Sequence, residues 1–164
     1  MSKNPYINKW IWQDKVFETE DLEEMHKKEP VVGFVYLITN NATGKMYVGK
    51  KGFWQHRKLP PLKGKKRKRL VVKESDWKEY YGSSSDLQRE VEEQRHQGKL
   101  DGFYTRQILH LCNSKGLLSY MELKEQVQRD VLFKEEYLNA FIGCKIHASH
   151  INSQKKGVQC VPDL

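Results

Sequence analysis

With 164 residues, 38% of them aliphatic or aromatic and 30% charged, the chain can bury one small core beneath a well-solvated surface. No stretch approaches the ~20 apolar residues of a membrane span, the N-terminal MSKNPYINKWIWQDK has no apolar run of signal length, and Cys112, Cys144 and Cys160 make no disulfide framework. These features argue against membrane and secreted disulfide-scaffold classes, and a soluble protein of the cytoplasm, with no membrane partner, is expected.

The net charge of +8 is unevenly spread. Between Lys50 and Lys73 there are eleven Lys or Arg and no Asp or Glu, while the remainder holds 18 basic and 21 acidic residues. One segment carries the whole positive excess, which points to a polyanion, most often nucleic acid.

Taken in chain order, residues 1–30 read as an arm packed on the domain through Trp10 and Trp12. It carries a short helix over Leu22–Lys28, started by Thr19 or Asp21 and stopped before Pro30. The β-branched run 31–39 (VVGFVYLIT) and the segment 45–49 (KMYVG) are strands, joined through NNATGK into a hairpin in which Gly44 can take positive φ. Residues 50–58 are read as a helix ended by Pro60-Pro61. A basic insertion, 59–80, follows as an expected mobile loop. Ser85-Asp86-Leu87-Gln88 reads as a capping box opening a helix that buries Leu87 and Val91 and stops at Gly98. Residues 102–111 are a third strand. Leu117 to about Leu132 is a helix, 134–147 a further helix burying Tyr137, Leu138, Phe141 and Ile142, and 151–164 a polar tail. Strands and helices mix without βαβ alternation, so the expected class is α+β.

The chemistry concentrates at the hairpin. Tyr36 and Tyr47 flank a turn near Asn41-Ala42, a register expected to set them opposite each other with both phenols on one face. Taken alone they could be a cross-strand aromatic pair. Gly33 and Gly49 near the strand ends would admit close approach by a phosphate. Arg57 falls ten residues after Tyr47, and Glu122, between Met121 and Leu123, is expected to edge the core. A phenol, an arginine and an acid beside a basic segment suit phosphodiester cleavage.

Gly33-Phe34-Val35-Tyr36, ten residues, then Tyr47-Val48-Gly49 resembles the signature of the GIY-YIG nucleases, in the manner of phage-encoded Seg-like or homing endonucleases. The resemblance spans roughly residues 31–143. It implies a small α+β domain (31–150 here), with a central three-stranded antiparallel sheet flanked by helices. It also implies a DNA endonuclease leaving 5′-phosphate and 3′-hydroxyl ends. Residue by residue, Tyr47 would orient or deprotonate the attacking water, with Arg57, Lys50 or a metal favouring the phenolate if it is the base. Tyr36 would support Tyr47 and contact the phosphate or water, and Arg57 would stabilise the phosphate's charge in the transition state. Glu122 would hold one Mg²⁺ (or Mn²⁺), with Glu125 the alternative ligand. Phe34 stands at the family's first glycine. Pro61 stands where many members carry a histidine, with Tyr80 or Tyr81 as candidates to fill that gap. Asn139 matches an asparagine seen in some members.

The implied partner is double-stranded DNA. Lys50, Lys51, Lys63, Lys65, Lys66, Arg67, Lys68 and Arg69 are candidate phosphate contacts, and Trp54, Trp77, Tyr80 and Tyr81 could stack on bases or pack against the domain. One active site per chain implies that a double-strand break needs a homodimer or two successive nicks. Cys144, His147, His150 and Cys160 invite a zinc reading, but His150 would lie about 240° from Cys144 on one helix. The alternative from another class is a catalytically silent nucleic-acid-binding module using the basic segment 50–73.

Overall fold

A computed structural model describes residues 8–143 and the backbone of the strand 158–160. Its strands are β1 (Trp10–Trp12), β2 (Lys15–Phe17), β3 (Gly33–Asn40), β4 (Met46–Gly52), β5 (Trp54–Leu59), β6 (Arg69–Glu74), β7 (Tyr104–Cys112) and β8 (Val158–Cys160). Its helices are α1 (Thr19–Lys28), α2 (Ser85–His96) and α3 (Lys115–Gln128), with a 3₁₀ turn at Trp77–Glu79. Among the described residues no helix is long and apolar enough to cross a membrane.

The class is α+β, as expected, but the central sheet is not three-stranded. Its order is β2-β1-β7-β3-β4, with β8 pairing β7 as well. It is mixed, because β1 runs parallel to β7 while the other pairs are antiparallel. The Trp-x-Trp segment is therefore a strand of the sheet. Gln13 and Asp14 both take positive φ, 49° and 62°, and turn β1 back into β2 in the manner of a tight hairpin turn.

Side-chain alternation along β3 builds two cores. Phe34, Tyr36 and Ile38 face a cluster that joins the aromatic Trp10, Phe17, Phe53 and Trp77 with Ile108, covered by Leu22 of α1 and Leu87 and Val91 of α2. Val35 faces the opposite side, where Val48, Leu109 and Cys112 meet Leu117, Leu118 and Met121 of α3. Gly33 permits that second packing: a Cβ there would lie 2.7 Å from Leu118 Cδ2 and overlap the Lys51 carbonyl. Strand β3 is buried on both faces, which explains why it reads as a continuous apolar run.

Helix boundaries follow local chemistry. In α1 the Glu18 N–H donates to the Asp21 carboxylate (2.8 Å). The Ser84 hydroxyl, one residue before the expected capping position, accepts from Leu87 N–H (3.5 Å) at the start of α2, and the Ser114 hydroxyl accepts from Leu117 N–H (3.1 Å) at the start of α3. Gly98, at φ +65°, follows the end of α2.

Three expectations are corrected. Residues 50–58 are not a helix: β4 runs on to Gly52, and Trp54–Leu59 pairs with Arg69–Glu74 as a separate two-stranded hairpin. Pro60-Pro61 lies in its connection, where missing N–H donors break no ladder. The insertion 59–80 is accordingly not a plain mobile loop, because it holds β6 and the 3₁₀ turn. Residues 134–143 are not helical either. Met46 N–H donates to the Glu136 carbonyl (2.7 Å) and Leu138 N–H to the Met46 carbonyl (2.8 Å). An extended segment thus satisfies the otherwise open edge of β4, a stronger demand than the helical spacing of its apolar residues. Tyr137, Leu138 and Ile142 pack partly on the cores, whereas Phe141 is exposed. Residues 144–147 of the expected helix lie outside the described residues, as do His150 and the Cys160 side chain of the zinc reading.

Candidate active site

The two tyrosines share a face but are not directly opposite. Tyr36 pairs with Gly49 and Tyr47 with Ile38, so the phenols meet diagonally, ring centroids 6.2 Å apart. The Tyr36 ring lies over Gly49, where a Cβ would be 2.7 Å from its Cζ and closer still to its hydroxyl. Gly49 thus makes room for a phenol, not for a phosphate.

Tyr36 is fully buried, and its hydroxyl has no hydrogen-bond partner among the described residues. Burial, then the neighbouring Tyr80 and Tyr47 phenols, push its pKa well above the ordinary tyrosine value. Its ring packs beside that of Tyr47, and it does not reach the surface to contact a phosphate or water. The Tyr80 ring stands edge-on to Tyr36 at 5.9 Å and carries the Lys51 ammonium at 3.9 Å. Tyr81 turns away, onto Tyr104 and Arg106. Of the two candidates for the missing histidine, Tyr80 is the one beside the tyrosine pair.

Tyr47 lines a cleft of about 470 Å³ at the edge of β4, together with Lys50, Glu122 and Gln126 of α3, residues 83–86 leading into α2, and residues 138–141. β4 is an edge strand, so the cleft receives Tyr47 from one face of the sheet and Lys50 and Glu122 from the other. The Tyr47 hydroxyl shares a hydrogen bond with Ser83 Oγ (2.9 Å). Burial raises its pKa above the ordinary value, partly opposed by Ser83 and reinforced by Tyr80 and Glu122. It is a neutral phenol at neutral pH. Lys50 Nζ pairs with Glu122 Oε2 (2.8 Å) and donates to Ser119 Oγ (2.9 Å).

Asn139 fixes this edge. Its Oδ1 accepts from Val48 N–H (3.1 Å) and its Nδ2 donates to the Val48 carbonyl (2.8 Å), on the residue next to Tyr47. It positions the strand.

Two expected residues are elsewhere. Arg57 is exposed on β5, opposite Val71, and does not line the cleft. The expectation that set it beside Tyr47 required the helix that β5 replaces. Glu125, the alternative metal ligand, is buried and fully engaged, with His110 Nε2 at 2.5 Å from Oε1 and Arg129 Nε donating to Oε2 at 2.8 Å. Burial opposes its charge, but those two partners outweigh it and hold its pKa below the ordinary carboxylate value. It ties α3 to β7. Among the expected DNA contacts, Lys51 is largely buried and paired with Asp76 (2.6 Å), and Trp77 is a core residue. Lys63, Lys65, Lys66, Arg67, Lys68 and Arg69 are exposed.

Ser83, Gln126 and Arg106 escaped the sequence reading. The serine run before Asp86 reads only as a helix cap. Arg106 is almost fully buried in β7, between the Trp10 and Tyr81 rings at 4.8 and 4.3 Å. It donates to the Lys78 and Tyr80 carbonyls (2.9 Å each) and to the Asn8 carbonyl. Burial lowers its pKa to about 10, leaving it charged at neutral pH. It clamps the segment that carries Tyr80 and leads to Ser83.

Among the described residues no group of three or more His, Cys, Asp or Glu could enclose a metal. The donor set does fit a hard cation such as Mg²⁺, which takes one or two protein carboxylates and completes its shell with water and phosphate. Glu122 is the buried-edge carboxylate of the cleft, its side chain 18% exposed. A larger groove of about 830 Å³, between the β5–β6 hairpin and α3, shares Lys50 but neither Tyr47 nor Glu122.

The family model described as "Putative endonuclease segE, GIY-YIG domain" matches residues 10–157. No curated protein matches the chain, and no solved structure does.

Proposed function

The chain belongs to the GIY-YIG endonuclease superfamily, and from that premise we propose that it is a divalent-metal-dependent endonuclease hydrolysing double-stranded DNA in the cleft at the edge of β4. The observation that carries this reading is the convergence of Tyr47, Lys50 and Glu122 on one cleft.

Each residue has a role its surroundings support. Tyr47, hydrogen-bonded to Ser83 and held neutral by burial, orients the attacking water through its phenol. Tyr36 beneath it and Asn139 beside it fix its position. Lys50 is the cation available to the scissile phosphate, a place the sequence assigns to Arg57. Ser85 and Asp86, the first residues of α2, line the same cleft. Glu122 is the carboxylate that would hold Mg²⁺ or Mn²⁺; the ion, when bound, supplies Lewis-acid stabilisation of the phosphate and of the departing 3′ oxygen. The products carry 5′-phosphate and 3′-hydroxyl ends. A double-strand break needs two chains on the DNA or two successive nicks.

The test is incubation of supercoiled plasmid with the protein in Mg²⁺ or in EDTA, followed by labelling of the ends. Nicked and linear DNA with 5′-phosphates is expected only in the metal. Salt-dependent binding with no metal-dependent cleavage would instead mark a silent binding module.

A further inference from the structure

We propose that the β5–β6 hairpin is a two-stranded ribbon that enters the major groove of DNA, with Gln55, Arg57, Arg69 and Lys73 directed at the duplex. This rests on the reading of DNA as the substrate.

Directly paired residues of an antiparallel ribbon share a face. The register pairs Trp54 with Glu74, His56 with Val72 and Lys58 with Leu70 on one face. It pairs Gln55 with Lys73, Arg57 with Val71 and Leu59 with Arg69 on the other. Trp54, His56 and Val72 line the groove against α3, which makes the first face the inner one. No residue of the second face lines that groove, so it looks outward.

The outward face has a distinctive chemistry. It carries three cations, one amide and no acid, and Arg57, Arg69 and Lys73 are exposed. None of these cations has an ion-pair partner among the described residues. The hairpin's acid, Glu74, belongs to the inner face and is occupied by Trp77 Nε1 and Lys78. Val71, 39% exposed, sits between the cations, a placement suited to the methyl group of thymine. Five further cations lie in the connection 60–68 at the tip.

The dimensions agree with a groove. Six-residue strands extend about 20 Å, and two strands lie ~4.8 Å apart, whereas the major groove is ~12 Å wide and admits a two-stranded ribbon. Arginine and glutamine on the outer face are the side chains that pair with guanine and adenine edges there, while the tip cations would meet phosphates across the groove and supply affinity without sequence choice. The arginine that sequence placed in catalysis thereby becomes a DNA-reading residue.

The experiment measures binding of a fluorescent random-sequence duplex by anisotropy in Ca²⁺ at several salt concentrations, for the wild type and R57A/R69A/K73A, with R57K/R69K as the charge-preserving control. Circular dichroism checks that each variant is folded. On a random-sequence duplex, where no particular base is read, these cations act through the phosphates lining the groove, so the triple variant is expected to lose about 100-fold or more in affinity and its salt slope should fall by roughly 2–3. The lysine control should keep most of the affinity. Methyl green, which fills the major groove, should displace the wild type, and netropsin, which fills the minor groove, should not. Wild-type affinity and salt slope in the folded triple variant, or displacement by netropsin alone, would overturn the ribbon. A wild type that binds in this way but never cuts in Mg²⁺ would overturn the nuclease reading and leave the ribbon standing.

Discussion

Replacing Glu122 by alanine should reduce Mg²⁺-dependent DNA cleavage by about a thousandfold or more, a loss of roughly 4 kcal/mol of transition-state stabilisation. Glu122 is the acid of the cleft held at the edge of the core, and it faces Lys50 at 2.8 Å. Its removal takes away the anion that would anchor the divalent ion. The protein itself should survive. Lys50 is 36% exposed, so its orphaned ammonium can turn to water, and a pair of this kind contributes no more than about 1 kcal/mol to stability. Thermal unfolding and duplex binding in Ca²⁺ should therefore stay near wild type, while calorimetric titration with Mn²⁺ should show lost binding. Unchanged cleavage by this variant would remove Glu122 from the site.

The largest stability effect is expected at the opposite end of the chain. Trp10 is 1% exposed, packs on Phe34 and Tyr36 at 4.9 and 5.5 Å, and donates its indole N–H to the Trp77 carbonyl at 2.7 Å. Trp10→Ala empties the middle of the aromatic core and strands a buried acceptor, at a cost of about 3–5 kcal/mol. For a chain of this length that lowers Tm by about 6–20 °C. Phe133→Ala is the control, since Phe133 is 88% exposed and should leave Tm within about 2 °C. Equal, small shifts in the two variants would mean that β1 is an appendage and not part of the sheet.

That result bears on what a sequence reveals. Strands β3 and β7 and helices α2 and α3 are legible because each carries its own signal: a β-branched apolar run, a buried stripe, or a serine cap. β1 is not, because three residues give no period, and its strand state comes from pairing with Arg106 and Gln107 far along the chain. The segment Trp54–Leu59 is ambiguous for the same reason. Its pairing with Arg69–Glu74 decides it, and the prolines that seem to stop a helix merely occupy the connection.

The site divides along the same line. Tyr36 and Tyr47 stand out in the sequence because hairpin geometry and the spacing of the family signature are local properties of the chain, and Glu122 because it sits between apolar Met121 and Leu123. Arg57 is set beside Tyr47 only by an assumed helix, and β5 carries it away from the cleft. Lys50 stands in the sequence beside Arg57 as a group that would favour the Tyr47 phenolate, and the fold brings it to Glu122 by setting α3 against β4. The side chains of Ser83 and Arg106 meet partners far along the chain, which no local pattern encodes.

The most direct test of the cleft as the catalytic centre is steady-state cleavage of duplex DNA by Tyr47→Phe and Arg57→Ala, with kcat and KM separated. Tyr47 lines the cleft and Arg57 does not, so Tyr47→Phe should lower kcat by about 100-fold or more, and Arg57→Ala should act mainly by raising KM. A Tyr47→Phe enzyme with wild-type kcat, alongside an Arg57→Ala enzyme whose kcat collapses, would contradict the assignment.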